Sequence, residues 1–141
     1  MYELIYMSSA INKLSEEEIN LLLVQARHYN IENHITGVLL YIDGDFLQVL
    51  EGKKKVIERL FEKIKSDNRH KGIIVVYEGK KTQRQFPNWS MGFHSTSYEM
   101  LRNLSGFEDL NKRDLLNIED KTAVSFLETF ITSHKDKVTF W

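Results

Sequence analysis

Gln48 lies in the middle of Asp45-Phe46-Leu47-Gln48-Val49-Leu50-Glu51-Gly52, a run otherwise suited to burial. A side-chain amide taken out of water without partners costs roughly 1–3 kcal/mol, so a buried Gln48 must be hydrogen-bonded. Its amide carries both donor and acceptor, which exchange places when it rotates. One reading is a core glutamine satisfied by backbone; the other is an amide that works. Tyr6 is the second polar side chain of interest. It belongs to an alternating strand from Tyr2 to Ser8, with Leu4 and Tyr6 on one face and Ile5 and Met7 on the other. By itself Tyr6 also reads as a core tyrosine. A fold that brought both groups to one face would make a site.

The elements that position them are legible. Ser15-Glu16-Glu17-Glu18 is a capping box that opens a helix with Ile19, Leu22, Leu23 and Ala26 at core spacing. Strands over 35–42 and 45–51 are joined by Asp43-Gly44, a strong hairpin signal. Val56, Ile57, Leu60, Phe61 and Ile64 mark a second amphipathic helix ending near Asp67-Asn68. A fourth strand runs over 73–77, and a short fifth over 91–95 follows the loop that holds Pro87. The order β-α-β-β-α-β predicts a ferredoxin-like α+β fold, both helices on one sheet face. The first and third strands are expected to be parallel central neighbours, with Tyr6 and Gln48 side by side under the cleft between the helices. Gln48 shares its side with Phe46 and Leu50. The opposite face, with Ile5, Met7, Leu47 and Val49, is apolar and needs a cover. The stripe Ala123, Val124, Phe126, Leu127, Phe130 and Ile131 supplies one, after shorter helical pieces around 98–104 and 110–116.

Composition bounds the function. A chain of 141 residues is one domain by length. Hydrophobic residues at 42% and charged residues at 28% indicate a globular chain rather than a disordered one. A net charge of −1 gives no global field for nucleic acid or an anionic membrane. Lys53-Lys54-Lys55 and Lys80-Lys81 read as solvated turns. The absence of cysteine excludes disulfides, thiol nucleophiles and zinc–thiolate sites. His28, His34, His94 and His134 lack metal-ligand spacing, so no metal is expected. Neither a signal peptide nor a membrane-length apolar run is evident, and the expected location is cytoplasmic.

A set of fragments in order then points to a family. They are Tyr6-Met7-Ser8, Asn30, Ile35-Thr36-Gly37-Val38-Leu39-Leu40-Tyr41, Phe46-Leu47-Gln48-Val49-Leu50-Glu51-Gly52, Asp67-Asn68-Arg69-His70 and Trp89-Ser90-Met91-Gly92-Phe93. Over residues 2–97 the chain resembles a BLUF domain, the blue-light sensor module that uses FAD. The resemblance implies a photosensor over 1–97, a helical extension over 98–141 packed on the sheet, and no enzymatic turnover. Light would drive electron transfer from Tyr6 to the flavin with proton movement through Gln48, whose amide ends rotated or tautomerised. A stronger hydrogen bond to the flavin C4 carbonyl then shifts absorption to the red.

Further roles follow from the same resemblance. Asn30 matches the residue that bonds the C4 carbonyl and N3 edge. Arg69 and His70 match positions on the pyrimidine side, Asp67 one near N1 or the ribityl chain, and Phe46 packs on the ring. Trp89 and Met91 match the strand proposed to relay the signal, and Trp89 is also a possible competing electron donor. Tyr29 departs from the family pattern, in which Asn or His is common. Without the resemblance, Asn30 reads as a helix-ending residue and Trp89 as a core aromatic. Output is expected through a downstream signalling protein docking on the C-terminal helices or sheet face, or through a homo-oligomer. Two rival functions stand beside this reading: a small ferredoxin-like enzyme of acylphosphatase type and a light-insensitive protein-interaction module. The first needs a phosphate cradle that the Ser8–Ser15 junction does not offer.

Overall fold

Asp43 and Gly44 both adopt positive φ, 52° and 85°, as a two-residue hairpin turn matched to strand twist requires. They join β2 (Thr36–Ile42) to β3 (Asp45–Gly52). The computed structural model describes residues 1–87, 90–94 and 121–133. Within them β1 is Tyr2–Ala10, α1 Glu16–Glu32, α2 Lys54–Lys65, β4 His70–Lys80, β5 Gly92–His94 and α3 Lys121–Ser133. The capping box forms as predicted: Glu18 N donates to Ser15 Oγ at 3.2 Å, and Ser15 N to Glu18 Oε1 at 3.1 Å. β4 is longer than its apolar stretch suggested, because it continues along β1 as far as the Tyr2–Lys80 pair.

The sheet order is β4-β1-β3-β2-β5, the ferredoxin-like α+β arrangement with an added fifth strand. One expectation is corrected: β1 and β3 are antiparallel, not parallel. The hairpin turns β3 back against β2, and β3 lies between β1 and β2, so it opposes both. Tyr6 and Gln48 remain direct cross-strand partners. At Gly37 a side chain is impossible, since a Cβ there would sit 1.9 Å from the Val49 carbonyl oxygen.

The two faces divide as parity predicts. Leu4, Tyr6, Leu39, Phe46 and Leu50 pack with Ile19 and Leu23 of α1 and Ile57 and Phe61 of α2. Ile5, Val38, Leu40, Leu47 and Val49 pack with Ala123, Val124, Leu127 and Phe130 of α3. Each large aliphatic side chain so buried contributes about 1.5–3 kcal/mol. The helical pieces expected over 98–104 and 110–116 lie outside the described residues.

Lys81 is a second correction. It is not in a solvated turn: its side chain is 5% exposed, and Nζ donates to Glu3 Oε2 and Glu51 Oε2, each at 2.8 Å. Glu51 also accepts from Gln85 N at 2.8 Å and Phe86 N at 2.7 Å. This buried knot fastens the loop after β4 to the end of the sheet. Among the described residues no helix is long and apolar enough to cross a membrane.

Candidate functional site

Between α1 and α2 the sheet floors a cavity of about 270 Å³, near the small end of ligand sites. Its floor holds Tyr6, Leu39, Phe46 and Gln48, all buried. Tyr6 Oη donates a short hydrogen bond to Gln48 Oε1. From the other end of the same amide, Nε2 donates to Met91 Sδ at 3.5 Å. The glutamine is thus held by two side chains rather than by backbone. Its orientation is set by a hydroxyl that can donate and a thioether that can only accept.

Burial pushes the Tyr6 phenol well above its ordinary pKa, and the Asp67 charge adds to the effect. Tyr6 is therefore a neutral hydrogen-bond donor at any physiological pH. Phe61 packs against it with ring centroids 5.5 Å apart. Phe46 stacks on Tyr41 at 4.6 Å and stands edge-on to His70 at 6.3 Å.

The remaining candidates converge from helix ends and the β4 entry. Asn30, buried in the last turns of α1, donates from Nδ2 to the Ser90 carbonyl at 2.6 Å. Its amide has a second N–H and an acceptor oxygen besides that bond. Asp67 and Arg69 form a two-point pair, with Nε 3.0 Å from Oδ1 and an Nη 2.6 Å from Oδ2. The Arg69 hydrogen bonds hold the Asp67 carboxyl below its usual range, and the same carboxylate raises Arg69. His70 lines the cavity, but its two ring nitrogens meet Ser8 Oγ at 2.8 Å and the Ile64 carbonyl at 2.7 Å. It fixes the wall from which it projects.

Seven candidates thus border one cavity: Tyr6, Asn30, Phe46, Gln48, Asp67, Arg69 and His70. Met91 touches it through Gln48. Trp89 lies outside the described residues. Sequence reasoning missed Leu14, Gln25 and Lys63 as lining residues and left Tyr29 open. It had placed Leu22, Ala26, Leu60 and Ile64 in the core, although they face the cavity. Their signal was the apolar stripe itself, which looks the same whether it meets a neighbour or a ligand.

The donor set suits a planar heteroaromatic ring with a polar edge. Apolar helix walls would take its faces, and two amides and a guanidinium would meet carbonyl and imine groups at its rim. The volume matches such a ring rather than a whole dinucleotide, whose remainder would leave by the mouth.

Comparison with known proteins agrees with this chemistry. A family model described as BLUF, sensors of blue-light using FAD, matches residues 1–92. The chain belongs to this family, and FAD is the family's cofactor. The beta subunit of the photoactivated adenylate cyclase of Euglena longa is 32% identical over 133 residues, 92% of this chain and 14% of that protein. A bacterial light-regulated adenylyl cyclase is 32% identical with TM-score 0.67, over 96% of this chain and 35% of that one. BlrB, a BLUF protein in its dark state, is 29% identical with TM-score 0.68, over 94% and 95% of the two chains. The chain thus spans a small part of the cyclases and nearly all of BlrB. It is a flavin-based blue-light sensor domain, and the family is one of sensors rather than enzymes.

Proposed function

We propose that Tyr6 and Gln48 are the photoactive pair of this sensor and that Asn30, Phe46, Asp67, Arg69 and His70 hold FAD. The observation that carries the reading is the buried Tyr6–Gln48–Met91 chain of hydrogen bonds. When bound, FAD supplies a ring that absorbs blue light and then accepts an electron. Tyr6, neutral and buried, would be the donor of that electron, and Gln48 Oε1, which accepts its hydrogen bond, would be placed to take the hydroxyl proton. Both would return to Tyr6, so the cycle would need no covalent bond between protein and cofactor. The lasting change would be in Gln48, whose amide would be left rotated or tautomerised as a stronger hydrogen-bond donor into the cavity. The surrounding low dielectric makes that rewired bond count.

Asn30 orients the ring edge while tying α1 to the segment that carries Met91. Phe46 would pack against the ring from the floor, and Asp67 holds Arg69 in place beside the cavity. Trp89 and Met91 carry the change toward the α3 face. Residues 1–97 are assigned to the sensor and 98–141 to an extension of the same unit, in which α3 is the described helix. Output passes to a downstream protein at the C-terminal helices or sheet face, or through self-assembly, in the cytoplasm. The test is the purified protein: it should be yellow, with a reversible red shift under blue light. Colourless protein after reconstitution with excess FAD would overturn the reading.

A further inference from the structure

Flavins differ at the end that leaves the ring, and the cavity mouth carries a residue suited to that difference. Among the lining residues Gln25 of α1 and Lys63 of α2 are exposed, and Tyr29, Asp67 and Arg69 are half-buried, above the buried floor. Lys63 is exposed, with its ammonium 4.5 Å from the Tyr29 ring centroid across the gap between the helices. Among the described residues the Lys and Arg side chains that line the cavity are Lys63 and Arg69. Arg69 is neutralised at two points by Asp67. Lys65, two residues beyond Lys63, pairs with Glu62 at 2.6 Å. Lys63 instead rests on an aromatic face, a weak partner at an exposed site that a phosphate readily replaces.

The helix end favours a cation here. Lys63 stands in the last turn of α2, where the backbone carbonyls carry partial negative charge and repel an anion. A phosphate leaving the cavity beside that end is better held by a positive side chain than by the backbone. We propose that Lys63 recognises the phosphate of the flavin side chain at the cavity mouth, so that the site favours phosphorylated flavins over riboflavin. The inference rests on the flavin reading above and adds the determinant of cofactor choice. The ring is held by the floor and walls; Lys63 acts only on the phosphate.

The test is the dissociation constant of riboflavin, FMN and FAD for the full chain stripped of flavin, with its fold checked by far-UV circular dichroism. Wild type, Lys63→Gln and Lys63→Arg are compared. Lys63→Gln should bind FMN and FAD about five-fold more weakly, the size of an exposed ion pair. Riboflavin should bind both alike, Lys63→Arg should behave as wild type, and added salt should narrow the gap. An equal loss for all three flavins would make Lys63 a packing residue and overturn the proposal, as would no loss for any. Failure of the broader reading looks different: wild type would then bind no flavin, riboflavin included.

Discussion

Gln48 donates to Met91 Sδ at 3.5 Å while it accepts from Tyr6, so one amide joins the floor of the cavity to the entry of β5. A thioether accepts hydrogen bonds but cannot donate them. An amide turned end for end would present oxygen to Met91 and lose this bond. The segment after Phe86 is the natural place for the change to leave, because its near end is pinned by Glu51 and Met91 is held through the amide.

Met91→Ala is therefore expected to keep the red-shifted flavin while weakening the light–dark difference at α3. Hydrogen exchange over residues 121–133, dark against lit, checks this in both proteins. Equal light-induced changes in wild type and variant would exclude the Met91 route.

Asn30→Ala removes an amide from the buried cavity edge together with the bond to the Ser90 carbonyl. An unsatisfied partner costs roughly 1–3 kcal/mol, which is about a five- to hundred-fold loss of FAD affinity. The dark absorption spectrum should shift as well. Retention of FAD and an unchanged dark spectrum would remove Asn30 from the cofactor site.

The Glu3–Lys81–Glu51 knot makes a stability prediction separate from light. Burial lowers the Lys81 pKa, yet the hydrogen bonds that it donates to both carboxylates, with their charges, outweigh it and the net shift is upward. Lys81→Met leaves two buried carboxylates without their cation, at a cost of roughly 3–5 kcal/mol. Urea unfolding of the variant should show the loss; a midpoint equal to wild type would mean that water reaches the acids.

How much of this was legible beforehand varied with the range of the interaction. Ser15 with Glu18 and Asp43 with Gly44 are local signals, and both formed. Strand parity placed Tyr6, Gln48 and Phe46 on one face because a period of two tolerates no drift. The strand direction differs from expectation because β1 and β2, linked through α1, run parallel, so a strand between them that leaves β2 by a hairpin opposes both. Lys81 was hidden for a different reason. Glu3 and Glu51 lie 78 and 30 residues away from it in sequence, so only the folded sheet brings the three together. Leu60 and Ile64 show the limit of apolar periodicity, which marks a buried face without saying what buries it.

Tyr6 also carries a pH prediction. Its phenol is raised above the ordinary value of about 10 by burial first and the Asp67 charge second. Folding thus favours the neutral form. That contribution is complete below about pH 10 and is lost as pH rises through the folded value. Phenolate absorbance of wild type and Tyr6→Phe should coincide at about pH 10, where a free tyrosine is half ionised. An extra phenolate in wild type with that ordinary midpoint would show Tyr6 to be solvated.

The most direct measurement is the light-minus-dark absorption spectrum of the FAD-loaded protein beside Tyr6→Phe and Gln48→Ala. Wild type should show a reversible red shift, whereas both variants should bind FAD and show no stable shift. Tyr6→Phe keeps the ring and its packing and removes only the hydroxyl that bonds Gln48. A normal photocycle in Tyr6→Phe, or a full red shift in Gln48→Ala, would contradict the assignment of this pair as the light switch.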